Sequence, residues 1–363
     1  TTDNAGGPYA YVKESFGDLA GFLIGWGYWV GVVFGVTAIA IGFAGYMGSV
    51  FPIFAANSLT QALVAAGGIG VLTWVNVKGV SEAASVQLVL TILKIIPLVV
   101  IIGLGITYGD IDNFPSFNPQ GLPIAQALAT TALLTMWAFI GIEAAVIPTT
   151  DVENPKKTIP IAVVSAALSV SLLYVGASIA IMFLVPSDIL AVSESPFVDA
   201  AAHMGRGGAL LIGVGALIST AGALNGNIFV MGQMPMAIAA DGLAPAIIAK
   251  KNRGGAPAGV LMVSSVFSTA LLVLNFTDGL VGAFSFLISM STLSILAPYG
   301  LSAVAEFKRS WLSAKGWAGV ALLSVTYTLI AAAGSGLYVL LLGVGLFLLG
   351  IPLYKFFHAT LHT

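Results

Sequence analysis

Apolar residues in this chain come in long runs with no polar face, separated by short polar segments. Ten runs can be marked: Leu19–Val50, Leu59–Val77, Val86–Tyr108, Ala125–Thr149, Ile159–Leu184, Gly208–Ala239, Ala258–Phe276, Leu280–Ala305, Ala318–Ala333 and Gly336–Tyr354. Most reach about 20 residues or more, the length a helix needs to cross a hydrocarbon core of about 30 Å. Ten helices that are apolar all round cannot all lie inside a soluble fold. The expectation is an all-α integral membrane protein with ten transmembrane helices, a single domain over residues 1–363, and membrane lipid as its surroundings.

Composition agrees: 58% of residues are hydrophobic and 8% charged, against about a quarter charged in soluble domains. Charge then adds a direction. Eleven of the thirteen cations (Lys13, Lys78, Lys156, Lys157, Lys250, Lys251, Arg253, Lys308, Arg309, Lys315 and Lys355) fall on one side of the ten-span arrangement, and Arg206 alone on the other. Positive charge collects on the cytoplasmic side, so both termini of this chain are expected there. Without cysteine, and with three scattered histidines, the chain offers no cysteine-based or His-rich metal site. No cofactor is expected, and no basic patch with an aromatic platform points to nucleic acid.

The thirteenth cation, Lys94, and one carboxylate, Glu143, sit deep within spans. Either would cost about 2.5–3.5 kcal/mol or more at the bilayer centre if it faced lipid, so each must face a partner, water or the bundle interior. Two readings stand: a structural charge satisfied by backbone carbonyls, or a gating or proton-linked group. Gly141 lies two residues before Glu143 in Met136-Trp-Ala-Phe-Ile-Gly-Ile-Glu. Non-helical backbone at this depth is tolerated only beside protein or a water-filled cavity, and a broken helix beside a carboxylate is how many transporters build a midplane site. Ser219-Thr-Ala-Gly-Ala-Leu-Asn-Gly-Asn gathers hydroxyls, glycines and amides at similar depth. Trp137, Tyr28, Trp29, Phe34 and Tyr299 could cover a ligand or fill the bundle. On the polar side, Thr158 offers an N-cap for the fifth span, and Ala240–Lys251 a short interfacial amphipathic helix.

Several segments resemble the amino acid–polyamine–organocation superfamily, most closely its basic amino acid/polyamine antiporters of the arginine/agmatine type. Gly6-Gly-Pro-Tyr-Ala-Tyr-Val-Lys-Glu-Ser-Phe-Gly is similar to the inner loop before that family's third span, and Trp137-Ala-Phe-Ile-Gly-Ile-Glu to its broken sixth. Glu153-Asn-Pro-Lys-Lys-Thr-Ile-Pro-Ile-Ala and Ala240-Asp-Gly-Leu-Ala-Pro are similar to inner-loop signatures. The resemblance implies a twelve-span fold with two inverted repeats of five, of which the ten spans here would be the third to twelfth. It therefore implies an N-terminally truncated chain, lacking the first two spans and the substrate contacts they carry. It also implies a bacterial inner membrane location and a homodimer, for which the last two spans are candidate surfaces.

Carried over residue by residue, the resemblance makes Trp137 a gate that stacks on the substrate, with Ile140, Gly141 and Ser291 beside it. Gly31, Val32, Val36, Ile39 and Asn227 would line the side-chain pocket. Tyr28, Glu143 and Tyr299 would form a gate on the inner side, and Lys94 would occupy the place of a coupling sodium ion. Val36 stands where the arginine-specific members have an asparagine, and Asn227 where they have a second stacking tryptophan. Losing that acceptor forgoes about 1.5–3 kcal/mol of charge-assisted bonding, and losing the aromatic face about 0.5–2 kcal/mol of cation–π attraction. The expected function is secondary active transport by alternating access, as an exchanger or with protons, of a neutral or modestly polar amino acid. An arginine/agmatine-type antiporter is the alternative within the class, and a non-transporting amino-acid sensor the alternative outside it. A channel would need a filter loop or charged ring, and an enzyme a convergent nucleophile, base and orienter; neither pattern is in the sequence.

Overall fold

The computed structural model describes residues 7–79, 83–119, 121–142, 154–275, 279–312 and 314–361. Glu143, Val146–Asp151 and the other residues of 143–153 lie outside it, as do Ser81, Glu82 and Ser313. The described residues fold into helices, with no strand among them. The chain opens with a short surface helix, α1 (Gly7–Phe16), followed by α2 (Asp18–Val50), α3 (Ser58–Lys78), α4 (Ala83–Tyr108) and α5 (Ile124–Trp137). Next come α6 (Pro155–Leu184), the short α7 (Ser187–Leu190) and α8 (Pro196–Ala200), then α9 (Gly205–Ala240) and α10 (Ala258–Asn275). The chain ends with α11 (Gly279–Ser310), α12 (Lys315–Ala333), α13 (Gly336–Leu348) and α14 (Gly350–Leu361). Eight helical stretches are long and apolar enough to span a membrane, and the two shorter apolar ones, Ile92–Tyr108 and Ile124–Trp137, fall on the third and fourth predicted spans.

The surface identifies the solvent. On α6, Ile161, Val164, Leu168, Leu172 and Val175 are all more than half exposed at helical spacing. Soluble monomers do not display apolar faces of that size, whereas lipid requires them. The interior, conversely, packs large aliphatic side chains against small ones. The main core lies between α2, α3, α9, α10 and α11, with Val36, Ala38, Ala40, Ile69, Leu224, Met231 and Leu287 wholly or almost wholly buried. Hydroxyls tie these helices together at depth. Thr37 Oγ1 on α2 donates to the Val33 and Ser268 carbonyls (2.9 and 3.1 Å), and Ser268 Oγ on α10 donates to the Val33 carbonyl (3.2 Å).

Three expectations change in detail. α6 starts at Pro155, with Asn154 before it at φ 52°, so Thr158 lies inside the first turns and is not the cap. Proline is at home at the first helical position, where its missing N–H costs nothing. The segment after α9 is mostly extended turns with one 3-10 turn, Ala246–Ala249, anchored by burial of Leu243 and Ala244 against Tyr9, Phe22 and Ile238. The tenth predicted span divides at Leu349 into α13 and α14.

Candidate functional site

The fourth apolar run does not continue as a helix. α5 ends at Trp137, and the next amides bond only three residues back: Ala138 to Thr135, Phe139 to Met136 and Ile140 to Trp137 (3.0–3.3 Å). Gly141 follows at φ 108°, a conformation side chains resist. The break therefore falls at Trp137–Gly141, within the motif that predicted it, and Glu143 lies just beyond the described residues.

What holds the end of α5 is a stripe of glycines on α2. Gly27, Gly31 and Gly35 follow one another at four-residue spacing and face α11. A Cβ at Gly31 would lie 2.5 Å from Ile295 Cγ1 and 3.0 Å from the Ser291 carbonyl oxygen; one at Gly27 would lie 3.4 Å from the Ser294 carbonyl oxygen. The pairing of 27 with 294 and of 31 with 291 makes α2 and α11 antiparallel. Small residues allow this backbone approach, the commonest route to tight helix contact in lipid. Into the same place comes the indole of Trp137, whose Nε1 donates to Ser291 Oγ (3.2 Å); Ser291 Oγ donates in turn to the Gly31 carbonyl (2.7 Å). A Cβ at Gly35 would sit 3.2 Å from Ser291 Oγ and 3.9 Å from Trp137 Nε1. The Trp137 ring meets Phe284 edge-on at 5.8 Å.

Among the predicted residues, the structure thus brings Trp137, Ser291 and Gly31 into one hydrogen-bonded chain, with Ile140 and Gly141 on the adjoining broken segment. Val32, Val36 and Ile39 are buried in the main apolar cluster. Asn227 on α9 is half-buried and donates to the Ala223 carbonyl of its own helix (2.9 Å). Tyr28 lies one helical step from Gly31 toward the cation-rich end, and Tyr299 lies two turns beyond Ser291 in the same direction. Lys94 is half-buried on α4, one turn before Pro97, and makes no ion pair among the described residues. Pro97 packs where α4 crosses α9, 2.9 Å from where a Gly215 Cβ would be.

Two overlapping cavities lie between the end of α5 and the cation-rich face. A cavity of about 820 Å³ is lined by Glu14, Ser302, Lys308 and Arg309 at the cation-rich face. It shares Ala303, Val320 and Ser324 with a second cavity of about 420 Å³ that reaches Tyr299 and Met136, the neighbour of Trp137. Ser302 Oγ, buried in that wall, has no partner among the described residues. At the same face α1 is pinned to the α9 end. Tyr9 Oη and Lys13 Nζ both donate to Asp241 Oδ2 (2.9 and 3.0 Å), and burial with this carboxylate raises the Tyr9 phenol pKa well above its ordinary value. Two of the motifs that carried the resemblance therefore meet in space. At the far end, Gln61 Nε2 donates to Glu194 Oε2 (2.7 Å), and the Glu194 carbonyl would lie 2.5 Å from a Cβ at Gly45, so the long loop before α9 closes on α2 and α3.

Gly27, Gly35 and Phe284 were not singled out from sequence. The four-residue glycine spacing on α2 was the available signal for the first two; Phe284 carried none.

Apolar helices on every side, broken at depth beside a cavity open to one polar face, define a multi-pass membrane transporter. The profile of the amino acid permease family matches residues 2–353, and the chain belongs to that family. It is 30% identical to the arginine/ornithine antiporter of Pseudomonas aeruginosa over 82% of this chain and 64% of that protein. It is also 30% identical to a putrescine transporter of Haemophilus influenzae, over 83% of this chain and 69% of that protein. The arginine/agmatine antiporter of Chlamydia pneumoniae is 28% identical over 96% of this chain and 76% of its own length. The chain is a transporter, then, and not an enzyme, with an amino acid or related compound as its substrate.

Proposed function

We propose that this chain carries out secondary active transport of a neutral or modestly polar amino acid by alternating access, as an exchanger or with protons, in a bacterial inner membrane. One observation carries the reading: the helix break at Trp137–Gly141, held by the Trp137–Ser291–Gly31 hydrogen-bond chain, with the preceding residue Met136 lining a cavity that reaches Tyr299. A helix broken at membrane depth presents backbone polar groups and a helix end where a zwitterion can bind. Trp137 then covers the ligand, while Tyr28, Glu143 and Tyr299 gate it from the cation-rich side, the cytoplasmic face by charge asymmetry. Lys94 serves coupling from α4. The family match over nearly the whole chain supports reading it as one transport domain.

The substrate class rests on Val36 and Asn227. Val36 offers no hydrogen-bond acceptor and is wholly buried among apolar side chains, and Asn227 offers no aromatic face for a cation to stack on. At Val36 a guanidinium would forgo about 1.5–3 kcal/mol of charge-assisted bonding, and at Asn227 about 0.5–2 kcal/mol of cation–π attraction. A second reading, exchange of basic amino acids or polyamines, is favoured by the names of the relatives. Counterflow in proteoliposomes holding the full-length protein separates the two. Labelled alanine or serine is expected to enter against the unlabelled compound, with Trp137→Ala abolishing entry. Arginine exchanging for agmatine with alanine and serine ignored would overturn the neutral reading. Absence of saturable counterflow with any amino acid or amine would overturn transport of either kind.

A further inference from the structure

A separate cavity of about 400 Å³ lies between α2, α9, α10 and α14, close to the cation-rich face. Its walls include Phe22, Trp26, Trp29, Ile248, Val263 and Phe357. Both indole N–H groups are tied off away from it or at its edge: Trp26 Nε1 donates to the Leu346 carbonyl (2.8 Å) and Trp29 Nε1 to Ser264 Oγ (3.0 Å). The rings therefore present apolar faces to the space, and nothing on its walls suits the charged ends of an amino acid. Its volume falls within the range of ligand pockets, about 300–1,000 Å³. Its rim opens to the surroundings, with Ile247 77% and Val263 55% exposed.

One turn of chain links two of the walls, and it is cationic. Between Ile248 and Gly259 the sequence runs Ala249-Lys-Lys-Asn-Arg-Gly-Gly-Ala-Pro-Ala. Lys250, Lys251 and Arg253 are exposed and make no ion pair among the described residues. The turn is held rather than loose. Asn252 Nδ2 donates to the Val77 carbonyl (2.6 Å), while Asn252 Oδ1 accepts from the Gly254 and Ala256 amides (2.9 and 3.0 Å). The Gly254 carbonyl lies 2.3 Å from where a Cβ on Gly79 would be, which brings Lys78 at the end of α3 to the same patch.

We propose that this is a binding site for an anionic glycerophospholipid, one acyl chain filling the aromatic cavity and the phosphate held at Lys250, Lys251 and Arg253. An apolar slot in a membrane protein invites a hydrocarbon chain, and the adjoining unpaired cations select its charge. Cations beside a bilayer attract anionic lipid at about 1 kcal/mol each, so the turn supplies headgroup preference and the cavity supplies residence. The proposal needs only membrane embedding and is independent of which solute is carried.

The test uses tryptophan quenching in the full-length protein in detergent, titrated with phosphatidylglycerol or phosphatidylcholine whose acyl chains are brominated. Saturable quenching is expected at a phosphatidylglycerol concentration about tenfold or more below that for phosphatidylcholine. Replacing Lys250, Lys251 and Arg253 together with Gln should bring the two lipids to equal affinity while quenching persists. Gly259→Leu should remove quenching by both. Gly259 lines the cavity and a Cβ there meets no described atom within 4 Å, so the larger side chain has room to enter, and an unchanged melting temperature checks that the fold is kept. Equal affinity for the two lipids in the unaltered protein, or full preference in the triple variant, would overturn the proposal. So would unchanged quenching in Gly259→Leu, competition by glycerol 1-phosphate as strong as by the lipid, or cross-linking of Ile247→Cys between two copies, which would show that a second copy covers this face.

Discussion

α5 and α9 both belong to apolar runs interrupted by small or polar residues, and they do opposite things. Each belongs to an apolar run that holds glycine, Gly141 just past α5 and Gly222 and Gly226 within α9, yet α5 stops at Trp137 whereas α9 runs unbroken from Gly205 to Ala240, through Ser219, Thr220, Asn225, Gly226 and Asn227. In α9 the polar groups serve the helix or its neighbours. Thr220 Oγ1 donates to the Ala216 carbonyl (2.9 Å), Asn227 Nδ2 to the Ala223 carbonyl, and Asn225 Oδ1 accepts from Asn76 Nδ2 on α3 (2.8 Å). No positive-φ glycine occurs between Gly205 and Gly242. In α5 the breaking groups are anchored elsewhere: the indole is committed to Ser291, and Ser291 to α2. A cluster of small and polar residues permits a break; a tertiary partner decides it.

If the partner decides, then removing its seat should have the largest effect. Gly31→Ala forces a Cβ to within 2.5 Å of Ile295 Cγ1, a side-chain atom, and 3.0 Å of the Ser291 carbonyl oxygen on the facing backbone. Overpacking of this kind costs about 1–3 kcal/mol, with this contact at the upper end. The expected result is a lower melting temperature in detergent together with lost transport. An unchanged melting curve would show that α2 and α11 are not packed as described.

Gly141→Ala comes next. No described atom lies within 4 Å of its Cβ position, but φ of 108° is unfavourable for any L side chain. Strained backbone of this kind costs about 1–3 kcal/mol; about 2 kcal/mol of destabilisation is expected here, with transport reduced. If the variant is as stable as the parent, the segment after Trp137 can be helical, and the contrast with α9 disappears.

These outcomes also mark what the sequence could say. The ten apolar runs were legible because lipid demands length and hydrophobicity, and those are written locally. The break was legible because Gly141 stands beside a charge that no lipid-facing helix would keep. The cradle around Trp137 was less so: Gly31 and Ser291 are far apart along the chain, and only the antiparallel packing of α2 on α11 joins them. Thr158 misled because proline at 155 sets the helix start by its own ring geometry, ahead of any side-chain cap. The polar cluster of α9 looked like a second candidate break because sequence records a side chain's polarity but not which carbonyl it will bond.

A smaller effect is expected when the bridge is cut but its geometry is kept. Trp137→Phe removes the donor to Ser291 Oγ and retains most of the ring, and Ser291→Ala removes the acceptor. Trp137→Phe forfeits one hydrogen bond of about 0.5–1.5 kcal/mol, and Ser291→Ala forfeits that bond and the one to the Gly31 carbonyl. A double-mutant cycle read by thermal unfolding should give a coupling of that order. A coupling near zero would mean that the indole is placed by its contact with Phe284 and the neighbouring packing alone.

The smallest change carries the opposite sign and is the sharpest check on the contrast. Gly226 lies in the polar cluster of α9, with no positive φ and nothing within 4 Å of its Cβ position. Gly226→Ala should therefore raise the melting temperature slightly, since alanine exceeds glycine inside a helix by about 0.5–1 kcal/mol through lost unfolded-state freedom. The same substitution at Gly141 should lower it, so one chemical change at two glycines reports the local backbone directly. If Gly226→Ala instead destabilised the protein while slowing counterflow, α9 would have to leave its helical conformation during the cycle, and the two helices would differ in timing rather than in kind.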